Sequence, residues 1–218
     1  MNPKKSPAFL NHYPTSLPVV ILSVIIVFVS TIIMGNFYFD IETTGLNSKL
    51  NKIITIQYQE LDRNTGKAIG ELIILKEWES SEREILSEFI NKSGINEPYA
   101  FSFIPTGYNL GFEHNFLRER TALHSFTPLE ILGKPFIDLR AFGILMNHGE
   151  FKGSGLDKIC GKKTDGSNIP LWYQNKEYNR ITDYIKDEAK SFIHLYAWLH
   201  KRMPSCLEEY KEEVGEEK

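Results

Sequence analysis

Cysteine is scarce in this chain, and what there is does not pair. Cys160 and Cys206 are the only two. They form no CxxC, and no histidine stands near either at zinc spacing, which argues against a structural zinc and for a reducing compartment. The six histidines are scattered, so a metal site built from imidazoles is not expected either. A basic excess is also missing. The formal net charge of −3 speaks against holding nucleic acid by bulk electrostatics, while leaving room for a local basic groove. No repeat or compositional bias points to a fibre or a disordered chain. What remains is 218 residues with a generous aromatic content, enough for one α/β domain of ordinary size with a sizeable core.

One hydrophobic run stands out. Residues 17–34, "LPVVILSVIIVFVSTIIM", carry no charge and are just long enough to cross a bilayer. Lys4 and Lys5 precede them, which favours an N-terminus kept inside. No small-x-small cleavage site precedes Met34, against a signal peptide. Two readings stand. The run is a membrane anchor, with the domain on the cytoplasmic side, or Met34 is the true start and residues 1–33 lie upstream of a cytoplasmic protein. The segmentation is then a leader (1–16), the hydrophobic segment (17–34), a domain (35–203) and an acidic tail (204–218).

Beyond Gly35 the pattern of elements is readable. "FYFDIET" alternates with period two and predicts a strand. "KIITIQYQELD" (52–62) and "ELIILKEW" (71–78) predict two more, separated by a turn at Asn64-Thr65-Gly66. Ser81 and Glu84 form a capping box that opens a helix. "AFSFIPTGYN" (100–109) predicts a fourth strand despite Pro105, a helix follows over 111–122, and "PFIDL" (135–139) predicts a fifth. A last long helix is expected over 178–201, with a frayed Glu-rich end from Glu208. Three strands of antiparallel type followed by alternating helix and strand make an α/β order with a mixed sheet.

Acids sit where this pattern calls for apolar residues. Asp40 and Glu42 project from one face of the first strand, and two like charges so placed need a cation or raised pKa values. In the last helix Ile181, Ile185, Phe192, Leu195 and Leu199 define a core-facing stripe. Glu188 falls in its middle, Asp187 at its edge and Asp183 outside it. Tyr184, one turn earlier, shares the face of Glu188. In "NLGFEHNFL" Glu113 lies on the face shared by Asn109, Phe116 and Leu117. A carboxylate on such a surface is costly unless something cationic meets it.

"FDIETTGL", "YNLGFEHNFL" and "YIKDEAKSFIHLY" together resemble the three motifs of DEDD-type 3′–5′ exonucleases of the ribonuclease H-like superfamily, in their tyrosine branch. Proofreading-exonuclease-like and YprB-like domains are the members it is most similar to. The resemblance covers residues 36–201 and implies a mixed five-stranded sheet with flanking helices. It departs from the family in carrying Glu113 and Glu188 where Asp is usual, which shifts the oxygens by a methylene. A histidine five residues before the last acid, the mark of the other branch, is replaced by Asp183.

The resemblance implies two Mg²⁺ or Mn²⁺ ions about 4 Å apart, held by hard oxygen donors. Asp40 would bridge them, Glu42 and Glu188 would complete one, and Glu113 would serve the other. Tyr184 would orient the attacking water. Thr43, Thr44, Gly45 and Leu46 are placed to meet the terminal nucleotide, or are simply a turn. Asn109 is placed to hold a phosphate or sugar, or to cap the next helix. Lys152, Lys158, Lys162 and Lys163 give "FKGSGLDKICGKK" positive charge suited to a phosphate backbone, or form a solvated loop face. Asp138 ends the fifth strand near the site, as a supporting residue. The expected partner is single-stranded DNA or RNA, with no organic cofactor and an oligomeric state left open. The rival expectations are a non-catalytic nucleic-acid-binding or polymerase-binding module and a membrane-anchored scaffold.

Overall fold

The computed structural model describes residues 35–161 and 166–216. The hydrophobic segment 17–34, together with Lys162 and Lys163, lies outside these residues. Among the described residues no helix is long and apolar enough to cross a membrane.

The fold is organised around β1 (Asn36–Thr43). Its alternation sends Phe37, Phe39 and Ile41 to one face of the sheet and Tyr38, Asp40 and Glu42 to the other. β1 pairs antiparallel with β2 (Ile53–Leu61), which pairs antiparallel with β3 (Ala68–Lys76). On its other side β1 runs parallel to β4 (Ile104–Gly107), and β4 runs parallel to β5 (Ile137–Asp138). The order β3-β2-β1-β4-β5 is the mixed five-stranded sheet expected from the sequence.

Helices cover both faces. α1 (Glu82–Lys92) and α2 (Gly111–Leu123) bring Ile85, Leu86, Phe89, Phe116 and Leu117 against Phe37, Phe39 and Ile41. Phe37 stacks on Phe103 at 4.5 Å and Phe39 on Phe89 at 5.3 Å. Three short helices follow: α3 (Arg140–Met146), α4 (Leu156–Ile159) and α5 (Ile169–Gln174). The long α6 (Tyr178–Glu216) covers the opposite face. There Phe192, Leu195 and Leu199 pack with Tyr38 and Leu61, and Ile181 and Ile185 pack with Ile54 and Trp172. Each such buried side chain contributes about 1.5–3 kcal/mol, so the apolar stripe of α6 fixes which way that helix faces.

Ser81 caps the helix as expected: its Oγ accepts from the Glu84 amide at 3.2 Å and donates to Glu84 Oε2 at 2.9 Å. The next residue, Glu82, is buried. Arg120 near the end of α2 grips both its oxygens at 2.8 and 2.6 Å, His124 lies 2.9 Å away, and the Ile53 amide donates at 2.8 Å. One carboxylate thereby pins α1, α2 and β2 together, and these donors hold its pKa below the usual range against the opposing effect of burial.

Four elements differ from their expected bounds, β5 by covering only Ile137–Asp138 of the expected 135–139. β3 begins and ends earlier than 71–78, because Glu77–Glu79 form a 3-10 turn. β4 is confined to four residues but does contain Pro105. Ile104 donates to Gly35 at 3.0 Å, so the missing donor of Pro105 falls on the opposite side, where β5 begins pairing only at Thr106. The last helix continues past Lys201 to Glu216, through Pro204. Its exposed end is rich in Glu, a strong helix former, where a frayed end was expected.

Candidate metal centre

Four acids converge at the carboxyl end of β1. Asp40 and Glu42 share the face turned towards α6, and α6 carries Glu188 into the same space. One carboxylate oxygen from each of these three lies within 4.8 Å of the others. Asp187 and Asp183, on the same helix, are exposed to solvent.

Glu113 stands outside that triplet but beside Asp40. It is buried in the first turn of α2, close enough to Asp40 for the two carboxyls to share a proton. Its Oε2 is buried with no hydrogen-bond donor. The backbone that brings it there is tightly made. Gly107 ends β4 where a Cβ would stand 2.8 Å from the Phe39 carbonyl oxygen and 2.5 Å from the Leu110 side chain, so only glycine fits. Asn109 then adopts φ 73°, a conformation that asparagine tolerates better than most residues. Asp138 accepts from the amides of Asn109 (2.8 Å), Leu110 (3.0 Å) and Arg140 (2.9 Å). Asp138 thus folds the turn that launches α2. Asn109 is exposed and does not cap α2, whose N-cap is Leu110 without a side-chain bond.

The electrostatics follow from this crowding. Burial, and then Glu188, push the Asp40 carboxyl up to about 7, with Gln57 pulling the other way. Burial and Asp40 hold Glu113 well above the usual carboxylate range. Tyr184 is buried, its ring at the edge of Trp172, and its phenol hydrogen-bonds to Glu188. Burial, Glu188 and Glu42 raise it far above the ordinary tyrosine value, so it cannot serve as a base near neutral pH.

These residues fit a hard divalent cation. Magnesium holds oxygens at about 2.1 Å, so ligands on opposite sides of it are about 4.2 Å apart. The triplet needs only a small inward movement to reach that spacing. The unsatisfied oxygen of Glu113 and the mutually repelling charges are what a cation would relieve. All the donors are carboxylate oxygens, with no sulfur or imidazole among them, the set that suits magnesium or manganese.

The remaining candidates are distributed around this centre. Thr43 Oγ1 donates to the Gly45 carbonyl at 2.6 Å, and Thr44 Oγ1 accepts from the Lys52 amide at 3.1 Å. Both hydroxyls therefore shape the turn after β1. A Cβ on Gly45 would come within 2.7 Å of the Asn51 side chain, which would have to move. Leu46 is 89% exposed at the tip. It borders a groove of about 330 Å³ with Phe112, Asn115 and Glu119 of α2 on the far wall. Lys152 is exposed, and Lys158 is exposed beside Asp157 at 3.4 Å.

Two residues at the site were not singled out in the sequence. Gln57, on β2 directly across from Asp40, donates to Asp40 Oδ2 at 2.8 Å. Tyr38 Oη lies 3.4 Å from the same oxygen. The signal for Gln57 was an amide inside the apolar run of β2, which gains meaning only once the register against β1 is known.

Comparison with known proteins agrees with this architecture. No curated protein matches the chain in sequence. Among solved structures, the zinc-bound form of an E. coli ExoI–ssDNA complex superposes with a TM-score of 0.54 at 13% identity, over 78% of this chain and 41% of that one. The metal-free form of that complex gives 0.53 at 12%, over 78% and 40%. A further exonuclease I structure, described as suggesting how processivity is achieved, gives 0.52 at 14%, over 78% and 41%. The chain thus spans about two fifths of these proteins, and at such identities the likeness is one of fold. The family model described as RNase_H superfamily matches residues 37–200, and the chain belongs to that superfamily.

Proposed function

We propose that this protein is a metal-dependent nuclease, a 3′–5′ exonuclease that removes nucleotides from single-stranded ends. The observation that carries the reading is the convergence of Asp40, Glu42 and Glu188 within 4.8 Å, with buried Glu113 against Asp40. Four acids from three elements are held together by the packing around them, and their repulsion is a standing cost that bound cations would offset. The exonuclease I structures that share the fold, two of them ssDNA complexes, support the choice of substrate class.

In this reading Asp40, Glu42 and Glu188 would hold one divalent cation, and Asp40 with Glu113 would serve a second. Cations so bound make a water nucleophilic at neutral pH and offset charge on the leaving oxygen. The chain's own residues do the positioning. Asp40 would be the ligand common to both, since it lies within 4.8 Å of Glu188 and beside Glu113. Tyr184, whose one proton is held in the bond to Glu188, would orient the attacking water through its hydroxyl oxygen. The turn at Thr43–Leu46 would offer exposed Leu46 to the terminal base, and exposed Asn109 would meet a phosphate or sugar. Lys152, Lys158, Lys162 and Lys163 would track the phosphate backbone.

The test is cleavage of a 5′-labelled single strand with a free or a blocked 3′ end, with and without Mn²⁺. The expected result is a metal-dependent ladder shortening from the free 3′ end and no reaction on the blocked strand. Equal cleavage of both strands would point to an endonuclease, and no cleavage of DNA or RNA would remove the enzymatic reading.

A further inference from the structure

Gln57 is fully buried in the middle of β2, opposite Asp40 in the antiparallel register. A buried amide is costly unless both its ends are satisfied, and an apolar side chain of the same size would pack more cheaply there. Both ends are used. Thr55 Oγ1, also fully buried, donates to Gln57 Oε1 at 2.9 Å. That bond fixes which end of the amide faces which way, so Nε2 donates to Asp40 Oδ2 at 2.8 Å.

From this relay we infer that Gln57 is a positioning residue of the metal centre: through the hydrogen bond held by Thr55 it fixes the orientation in which Asp40 presents its carboxylate to a divalent cation. The inference rests on the reading of the four acids as a metal site. Asp40 is the acid that lies against both Glu188 and Glu113, so its orientation matters to every ligand pair. It is also partly exposed, in the second half of its strand, beside two other carboxylates that repel it. Left to itself, the side chain would rotate away from them. One neutral donor on a rigid central strand opposes that rotation without adding a positive charge that would compete with the cation. Partners that orient a ligating carboxylate in this manner typically change metal affinity by about 10–100-fold.

The experiment is calorimetric titration of Mn²⁺ into the full chain and into Gln57→Leu and Thr55→Val, with a metal-free melting curve for each. Gln57→Leu keeps the volume and loses the donor. Its Mn²⁺ affinity is expected to fall about tenfold or more, in a protein that still melts cooperatively. Thr55→Val keeps the side-chain shape in a buried strand and frees the amide to turn, and should weaken Mn²⁺ in the same direction by a smaller factor. A merely structural role for Gln57 would lower the melting temperature and leave the affinity unchanged. If both variants fold and bind Mn²⁺ within twofold of the parent, the inference is wrong; should Gln57→Leu fail to fold, Thr55→Val alone decides. A parent that takes up no Mn²⁺ would instead remove the metal-centre reading itself.

Discussion

Asp40 in the second half of the central strand and Glu188 about a quarter of the way along the last helix present carboxylate oxygens within 4.8 Å of each other. The two elements are held in that relation by apolar packing on either side of the acids. Tyr38, the neighbour of Asp40, packs with Ala189 and Phe192, while Ile181 and Ile185 lock the preceding turns of α6 onto Ile54. The sheet and helix thus force the charges together, and the repulsion between them is a consequence of the core.

Glu188 rather than Asp187 is therefore expected to carry function, since one residue along a helix is about 100° of rotation and Asp187 is exposed. Glu188→Gln should lower single-turnover hydrolysis by at least about a hundredfold, near 2.7 kcal/mol of barrier. It should raise the metal-free melting temperature, because a like charge leaves the cluster. Asp187→Asn should stay within a few-fold of the parent. A dead Asp187→Asn beside an active Glu188→Gln would mean that the register of α6 is misread.

The raised Asp40 carboxyl sets a pH dependence. Its folded value of about 7 lies above the ordinary 3.8, so between those values the native state holds a proton that the unfolded chain has lost. Metal-free stability contributed by this group is full below the lower value and lost as pH rises towards 7. A bound cation displaces that proton. The rise in melting temperature on adding Mn²⁺ should be larger at pH 8 than at pH 5.5, as thermal scans at fixed metal would reveal.

Glu82 behaves in the opposite sense and lies on the other face of the sheet. Its lowered pKa contributes stability that is complete above the ordinary 4.5 and lost as pH falls through the folded value. Glu82→Ala would leave buried Arg120 and the Ile53 amide without their partner, a cost of about 3–5 kcal/mol. Urea titration measures it. Mn²⁺ affinity of the folded fraction should not change.

Leu46 offers a separation of binding from folding. It is almost wholly exposed, so Leu46→Ala should alter stability by less than about 0.5 kcal/mol. If it meets the terminal base, KM for a single strand should rise severalfold with little change in kcat. An unchanged KM would leave Thr43–Leu46 as a turn and nothing more.

How much of this was legible beforehand follows from the range of the interactions. The faces of Asp40 and Glu42 follow from alternation, and the facing of Glu188 follows from a helical stripe. Both are local periodicities, and they survive in the fold. Gln57 was invisible because its meaning lies across the sheet, 17 residues from its partner, and depends on a register that no local pattern fixes. The hydroxyls of Thr43 and Thr44 read equally as substrate contacts or as turn formers, and their bonds to Gly45 and Lys52 account for the turn. β4 was overestimated because apolar residues on both sides of it belong to turns, and α6 was underestimated because its exposed end is helical without an apolar stripe facing the sheet.

The central claim is that the acids around Asp40 bind cations in order to cleave phosphodiesters. The most direct measurement is single-turnover cleavage of an end-labelled single strand by the parent and by Asp40→Asn, each titrated with Mn²⁺ from zero. The account predicts no cleavage without metal, saturable cleavage by the parent, and none by Asp40→Asn at any metal concentration despite an intact fold. Cleavage by Asp40→Asn at the parent's rate, or cleavage by the parent that ignores the metal, would contradict it.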